Sequence, residues 1–219
     1  PLHQAVKKLC EGPDGLYYAL LFQGGITCFD KDIEKFLPVR FDKPLELKDI
    51  LDFCWNDGSL YLVTSQGLFE SRIVRKTEGK HDFVLCLLNP EPVVRGKVAH
   101  LCSDGKTNLY FSVNQRKVVH YDLVAKKTSL IKEYSVVNRL FLRHGYLWIC
   151  RLWDDIICYD LKTNEERVIS MEGKDQSEFS NSYVTELVLK DNRTFYLTTW
   201  NGLYKLRFDN DNLCKSPFV

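Results

Sequence analysis

Two carboxylates roughly 5–10 Å apart can break a glycosidic bond, one as acid and one as base or nucleophile. Asp52 and Glu186 sit in the apolar segments ILDFCW and VTELVL, in different parts of the chain, and could face a shared channel. Acids in such places usually serve as solvated or turn-forming groups. That role is expected here, with catalysis the alternative. Asp30, Asp122 and Asp160 each follow an aromatic at the end of an apolar run. A catalytic acid is needed once, whereas a recurring one caps a turn, so these three are read as caps. The five histidines (His3, His81, His100, His120 and His144) have no ligand spacing, and no metal is expected. FQGGI reads as a turn rather than a phosphate loop, and no cofactor is expected.

The eight cysteines form no C-x-x-C pair and have no histidine at metal-ligand spacing. They are expected to be free thiols packed as small hydrophobes, which leans towards a reducing compartment. With a hairpin turn centred on Asp154, Cys150 and Cys158 would lie directly opposite on adjacent strands. Cross-strand Cβ separations of roughly 4.5–5.5 Å exceed the usual disulfide range of about 3.5–4.5 Å, so both are expected to stay reduced. Cys10, Cys54 and Cys102 recur at similar places in separate units.

The elements that position these groups repeat. DGLYYALLFQGGITCFD, DGSLYLVTSQGLFES, DGKTNLYFSVNQRKVVHYD, HGYLWICRLWDDIICYD and DNRTFYLTTWNGLYKL share one order. Each has a turn pair, an aromatic-anchored apolar strand, a polar break and a second strand. The anchors Tyr17, Tyr61, Tyr110, Trp148 and Tyr196 are spaced by 44, 49, 38 and 48 residues. An apolar piece precedes each turn pair and a more polar one follows, giving four strands per unit of about 45 residues, the signature of a β-propeller blade. Middle strands covered on both faces explain the nearly continuous apolar runs.

The expected fold is therefore all-β: a β-propeller with about five four-stranded antiparallel blades in this chain, part of a larger propeller. The alternative is a β-sandwich or β-solenoid. Repeat cores fall near 6–30, 50–71, 98–122, 136–160 and 184–206. Innermost strands are expected to begin near Val6, Ile50, Val98, Val136 and Val184. DKDIEKFL is read as a connector or outer strand.

Composition narrows the partners. Thirty Lys+Arg against 29 Asp+Glu leave a net charge of +1 over 219 residues. With no charge block, contact with nucleic acid is not expected. Apolar runs fall far short of a membrane span. The chain opens on PLHQAVKK and stops at CKSPFV, and it is read as a piece of a longer protein.

Repeat equivalence places Gln23, Gln66, Asn114, Gln115, Trp153, Asp154, Trp200 and Asn201 in the turns between second and third strands. These turns fall on one end of a propeller. Aromatic planes for apolar sugar faces and amides or carboxylates for hydroxyls suit an oligosaccharide, with Trp153 and Trp200 flanking a recognition rim; the alternative is ordinary exposed turns with both Trp tucked against neighbouring blades.

The unit is not the WD-dipeptide repeat, since Trp153-Asp154 falls in a turn. It resembles the two-component regulator propeller repeat. GYLWICRLWDDIICYD carries Leu147-Trp148-Ile149 and Tyr159-Asp160. FYLTTWNGLYKL carries Thr198-Thr199 and Gly202-Leu203. SLYLVTSQGLF carries Leu60-Tyr61-Leu62, Thr64 and Gly67-Leu68. The resemblance covers all five units, although only Trp148 keeps the family's Trp and the Gly of its Ile-Gly-Thr is absent.

The resemblance implies the periplasmic sensor of a Bacteroides-type hybrid two-component histidine kinase. Such a sensor detects oligosaccharides and signals through a phosphorelay to transcription. It also implies further sensor and kinase domains as partners, and a second copy of the chain as another. This segment itself would not be an enzyme. The other function considered is a protein-interaction scaffold.

Overall fold

The computed structural model describes residues 5–41, 50–75, 82–152, 154–169, 183–191, 194–200, 202–209 and 212–217. Every regular element among them is a β-strand. Repeat 1 comprises β1 (Val6–Glu11), β2 (Tyr17–Leu21), β3 (Ile26–Asp30) and β4 (Lys35–Phe41). Repeat 2 comprises β5 (Ile50–Asn56), β6 (Ser59–Thr64), β7 (Gly67–Arg75) and β8 (Phe83–Leu87), with the two-residue β9 (Val94–Arg95) beside β7. Repeat 3 comprises β10 (Val98–Ser103), β11 (Asn108–Val113), β12 (Lys117–Asp122) and β13 (Lys127–Glu133). Repeat 4 comprises β14 (Val137–Arg143), β15 (Tyr146–Arg151), β16 (Ile156–Asp160) and β17 (Glu166–Ile169). Repeat 5 comprises β18 (Val184–Leu189), β19 (Thr194–Thr199), β20 (Gly202–Asp209) and β21 (Asn212–Pro217).

Each repeat is an antiparallel meander in chain order. Repeats 3, 4 and 5 are separate four-stranded sheets. Repeats 1 and 2 are fused: β4 and β8 pair in parallel, Val39 with Phe83 and Phe41 with Leu85, to make one nine-stranded sheet. Lys35–Phe41, the end of the DKDIEKFL segment and beyond, is thus an outer strand. Four innermost strands begin at the expected valine or isoleucine. The fourth begins at Val137, one residue later than Val136, whose carbonyl instead accepts from Leu152 N.

Contacts divide the chain into two compact units, residues 1–114 with 119–129, and residues 115–118 with 130–219. In the first, the facing sides of repeats 1 and 2 enclose Tyr18, Leu20, Ile26, Phe53, Leu60, Leu62 and Phe69. The other face of repeat 2 meets repeat 3 through Tyr61, Val63, Leu68, Val98, Leu101, Leu109 and Phe111. In the second unit, repeats 4 and 5 bury Trp148, Cys150, Cys158, Leu187, Phe195 and Leu197, with Trp148 and Phe195 ring centroids 4.6 Å apart. Middle strands are covered on both sides, hence their unbroken apolar runs.

Register corrects two expectations. The residue opposite Cys10 on β2 is Tyr18, matching Tyr61 opposite Cys54, Tyr110 opposite Cys102 and Tyr196 opposite Val188. The anchor of repeat 1 is therefore Tyr18, 1% exposed, and not Tyr17, 40% exposed. In a Tyr-Tyr pair a one-residue slip exchanges the faces. The register that pairs β15 with β16 is centred one position before Asp154. Cys150 therefore faces Ile156, and Cys158 faces Trp148. The two thiols are free and buried, but they are not opposite each other.

Candidate functional site

Within its own sheet, each of four turns between second and third strands is tied to the entry of the innermost strand. Phe22 N donates to Ala5 O (2.9 Å) and Asn114 N to Lys97 O (2.8 Å). Leu152 N donates to Val136 O (2.7 Å) and Trp200 N to Tyr183 O (3.2 Å). In repeat 2 the turn is shaped by Thr64, whose Oγ accepts from Gln66 N at 3.1 Å. Asn114 and Gln115 both lie at positive φ, 52° and 55°. A tight hairpin of matching twist requires that geometry, and Asn adopts it readily.

Gln23, Gln66, Asn114, Gln115, Asp154 and Trp200 all occupy these turns and all are exposed. Trp153 and Asn201 lie outside the described residues. Within the first unit the turns offer amides: Gln23, Gln66 and Asn114. The second unit offers Gln115, an acid already engaged and an aromatic platform. Asp154 accepts from Ser135 Oγ at 3.1 Å and forms an ion pair with Arg151 at 2.6 Å. The Arg151 Nε also donates to Asp155 O at 3.0 Å.

Trp200 is 73% exposed, and its indole stacks on Tyr183 with centroids 4.8 Å apart and planes 21° from parallel. One indole face is thus held while the rest is open to solvent. The sequence reading missed Tyr183. The signal available was the recurring position that leads into each innermost strand, here an aromatic.

Asp52 does not face a channel. It is 5% exposed. One oxygen takes the Lys8 ammonium at 2.7 Å and Phe53 N at 2.8 Å, and the other takes Leu101 N at 2.8 Å. The Lys8 ammonium also reaches Phe53 O at 2.7 Å and Leu101 O at 3.5 Å. One ion pair therefore ties the innermost strands of repeats 1, 2 and 3. Burial pushes the Asp52 carboxyl up, but Lys8 and the Leu101 N–H outweigh it and hold it below the usual carboxylate range. Burial pushes Lys8 down, and Asp52 more than restores it, leaving it above the usual amine range. A carboxylate so committed has neither the free oxygen nor the raised pKa of a general acid. Glu186, at the same position of β18, is exposed and accepts from Leu187 N at 3.1 Å.

The recurring acids are caps, as expected. Asp30 accepts from Asp32 N (2.9 Å), and Asp122 from Val124 N and Ala125 N (both 2.8 Å). Asp160 accepts from Lys162 N (2.8 Å) and Thr163 N (3.2 Å). Among the described residues no three His, Cys, Asp or Glu side chains come together as metal ligands. Cys10, Cys28, Cys54, Cys150 and Cys158 are free thiols. Burial pushes the thiols of Cys10 and Cys28 up to about 11 and that of Cys158 to about 12.

No protein-family model and no curated relative matches the chain in sequence. Solved structures do match it in fold. One is described as the extracellular domain of the hybrid two-component system BT4673 of B. thetaiotaomicron. It matches at TM-score 0.72 and 14% identity, over 96% of this chain and 29% of that one. A second is the corresponding domain of BT3049 from the same organism, at TM-score 0.62 and 13% identity, over 98% and 30%. A chain of the mitotic checkpoint complex matches at TM-score 0.67 and 16% identity, over 99% and 67%. The chain thus shares its fold with the extracellular domains of Bacteroides hybrid two-component systems, and spans less than a third of their length.

Proposed function

We propose that the five repeats are blades of a β-propeller and that the chain is the ligand-sensing part of a hybrid two-component sensor. In this reading it lies in the periplasm and recognises an oligosaccharide. Its signal passes through kinase domains elsewhere in the parent protein, by phosphorelay, to transcription. The observation that carries the reading is the fold match to extracellular domains of such systems over 96% of the chain. The arrangement of the turns adds to it. In the second unit, Trp200 stacked on Tyr183 offers a plane for the apolar face of a sugar ring; in the first unit, taken by itself, the exposed amides of Gln23, Gln66 and Asn114 suit hydroxyls. The chain is read as a binding module rather than an enzyme, and the commitment of Asp52 to Lys8 supports this.

Calorimetric titration of a panel of neutral and acidic oligosaccharides against the chain tests the reading. Trp200→Ala and Tyr183→Ala should each weaken a binding sugar by about tenfold or more, as loss of a central aromatic anchor does. Unchanged affinity in both folded variants would remove the Tyr183–Trp200 platform as the sensing site.

A second reading, a scaffold that binds another protein, is favoured by the match to a chain of a multiprotein complex. It predicts no oligosaccharide binding at all.

A further inference from the structure

Four innermost strands shift register after their first paired residue, and a charged residue follows each shift. These are Lys8 after Val6, Asp52 after Ile50, Arg139 after Val137 and Glu186 after Val184. They fall into two couples of opposite sign, one in repeats 1 and 2 and one in repeats 4 and 5.

In the first unit the couple is closed. Lys8 Nζ meets Asp52 at 2.7 Å, and the same carboxylate holds Phe53 N at 2.8 Å. In the second unit the couple is open. Glu186 holds Leu187 N at 3.1 Å, just as Asp52 holds the residue after it, yet Glu186 is exposed. Arg139 is half-buried, and its buried Nε donates to no acceptor among the described residues. Both charges nevertheless reach one side chain. Cys150 lies opposite Arg139 on β15. Burial pushes the Cys150 thiol well up, Arg139 draws it down and Glu186 pushes it up.

The aromatic stack of the second unit stands at the entry of these two strands. Asn138, next to Arg139, donates from Nδ2 to Val184 O at 2.9 Å, and Val184 follows Tyr183. Tyr183 in turn stacks on Trp200.

We propose, building on the sensing function above, that Arg139 and Glu186 read two neighbouring hydroxyls of an uncharged sugar ring whose apolar face rests on Trp200. A hydroxyl both accepts and donates, so it can take an N–H from the guanidinium and give its own proton to the carboxylate. Two adjacent hydroxyls match the parallel donors of an arginine fork. A uronate carboxylate would gain from Arg139 but be repelled by Glu186, whereas a neutral diol satisfies both. It would also supply polar partners beside a guanidinium whose burial is costly without them. Lys8 and Asp52 are taken up by each other, so the same position in the first unit is a tie between strands and reads nothing.

Urea unfolding of the whole chain gives a test that needs no ligand. Arg139→Gln and Glu186→Gln should leave the midpoint nearly unchanged, whereas Asp52→Asn should lower it. A loss in either Gln variant as large as that of Asp52→Asn would mean a closed ion pair and overturn the proposal. Calorimetry then uses cellohexaose, xylohexaose, mannohexaose and maltohexaose as neutral probes and hexagalacturonate as the acidic one. A neutral probe should bind, and each Gln variant should weaken it about tenfold or more. Preference for hexagalacturonate, or equal affinity in wild type and either Gln variant, would overturn the proposal. Trp200→Ala separates the two readings. If it loses binding while Arg139→Gln and Glu186→Gln keep it, the sensing site stands and the role of Arg139 and Glu186 falls. If the wild type takes none of the probes, both fall.

Discussion

The Lys8 ammonium and the Asp52 carboxylate lie 2.7 Å apart, with the Asp52 side chain 7% and the Lys8 side chain 26% exposed. They are 44 residues apart in sequence, in different repeats, and the second carboxylate oxygen bonds a third repeat at Leu101 N. A buried pair of this kind costs much to break from one side, because the remaining charge is left in the interior.

Asp52→Asn should lower stability at neutral pH by about 3 kcal/mol. Replacing Lys8 and Asp52 together with apolar residues of similar volume should recover most of that loss. The pH dependence follows from the direction of each shift. Asp52 titrates lower in the folded chain than its unfolded value, so its contribution is complete above about pH 4 and disappears as pH falls through the lower folded value. Lys8 titrates higher when folded, so its contribution is complete below about pH 10 and disappears as pH rises through the raised value. Urea midpoints measured across pH should fall off at both ends for wild type. The acid limb should be flatter for Asp52→Asn.

Gly67→Ala and Gly202→Ala impose the same backbone strain but differ in what the new methyl meets. Gly202→Ala should cost about 1 kcal/mol, from conformation alone. Gly67→Ala should cost about 3 kcal/mol or more, since its Cβ would press on Val94 O, a backbone atom. Denaturant unfolding of the two variants side by side measures the difference; equal losses would argue against the close approach of β9 to β7.

Trp148→Ala and Trp200→Ala separate core from surface. Trp148 is 1% exposed and packs on Phe195 between repeats 4 and 5, so its loss should destabilise by about 4 kcal/mol. Trp200 is 73% exposed, and its loss should change stability by no more than about 0.5 kcal/mol. Thermal melts of both variants decide this. They also provide the folding control that the sugar titration needs.

All eight cysteines should react after denaturation without reductant, and Cys10, Cys28, Cys54, Cys150 and Cys158 are already free thiols in the fold. In the native state alkylation near pH 8 should be slow. Burial keeps Cys10, Cys28 and Cys158 protonated there, and the thiolate is the reacting form. Rapid native labelling at those three positions would contradict their burial.

The sequence by itself determined the repeat, the four strands in each unit, four of the five innermost strand starts and the capping role of Asp30, Asp122 and Asp160. These are local matters. An apolar run between turn residues makes a strand, and a carboxylate caps the amides two or three residues beyond it. It also placed Gln23, Gln66, Asn114, Gln115, Asp154 and Trp200 in equivalent turns, because the repeat transfers position from one unit to the next. Tertiary structure decided what depends on partners distant in the chain. Whether Asp52 is a free acid or half of an ion pair turned on Lys8, whose approach no local pattern encodes. The parallel pairing of β4 with β8 joins strands more than 40 residues apart. A turn centred one residue earlier moved Cys158 from Cys150 to Trp148, and a one-residue slip made Tyr18 the anchor in place of Tyr17. With a period of two, a strand's faces are fixed only when its neighbours are, so the choice between adjacent tyrosines is made by packing against the next repeat.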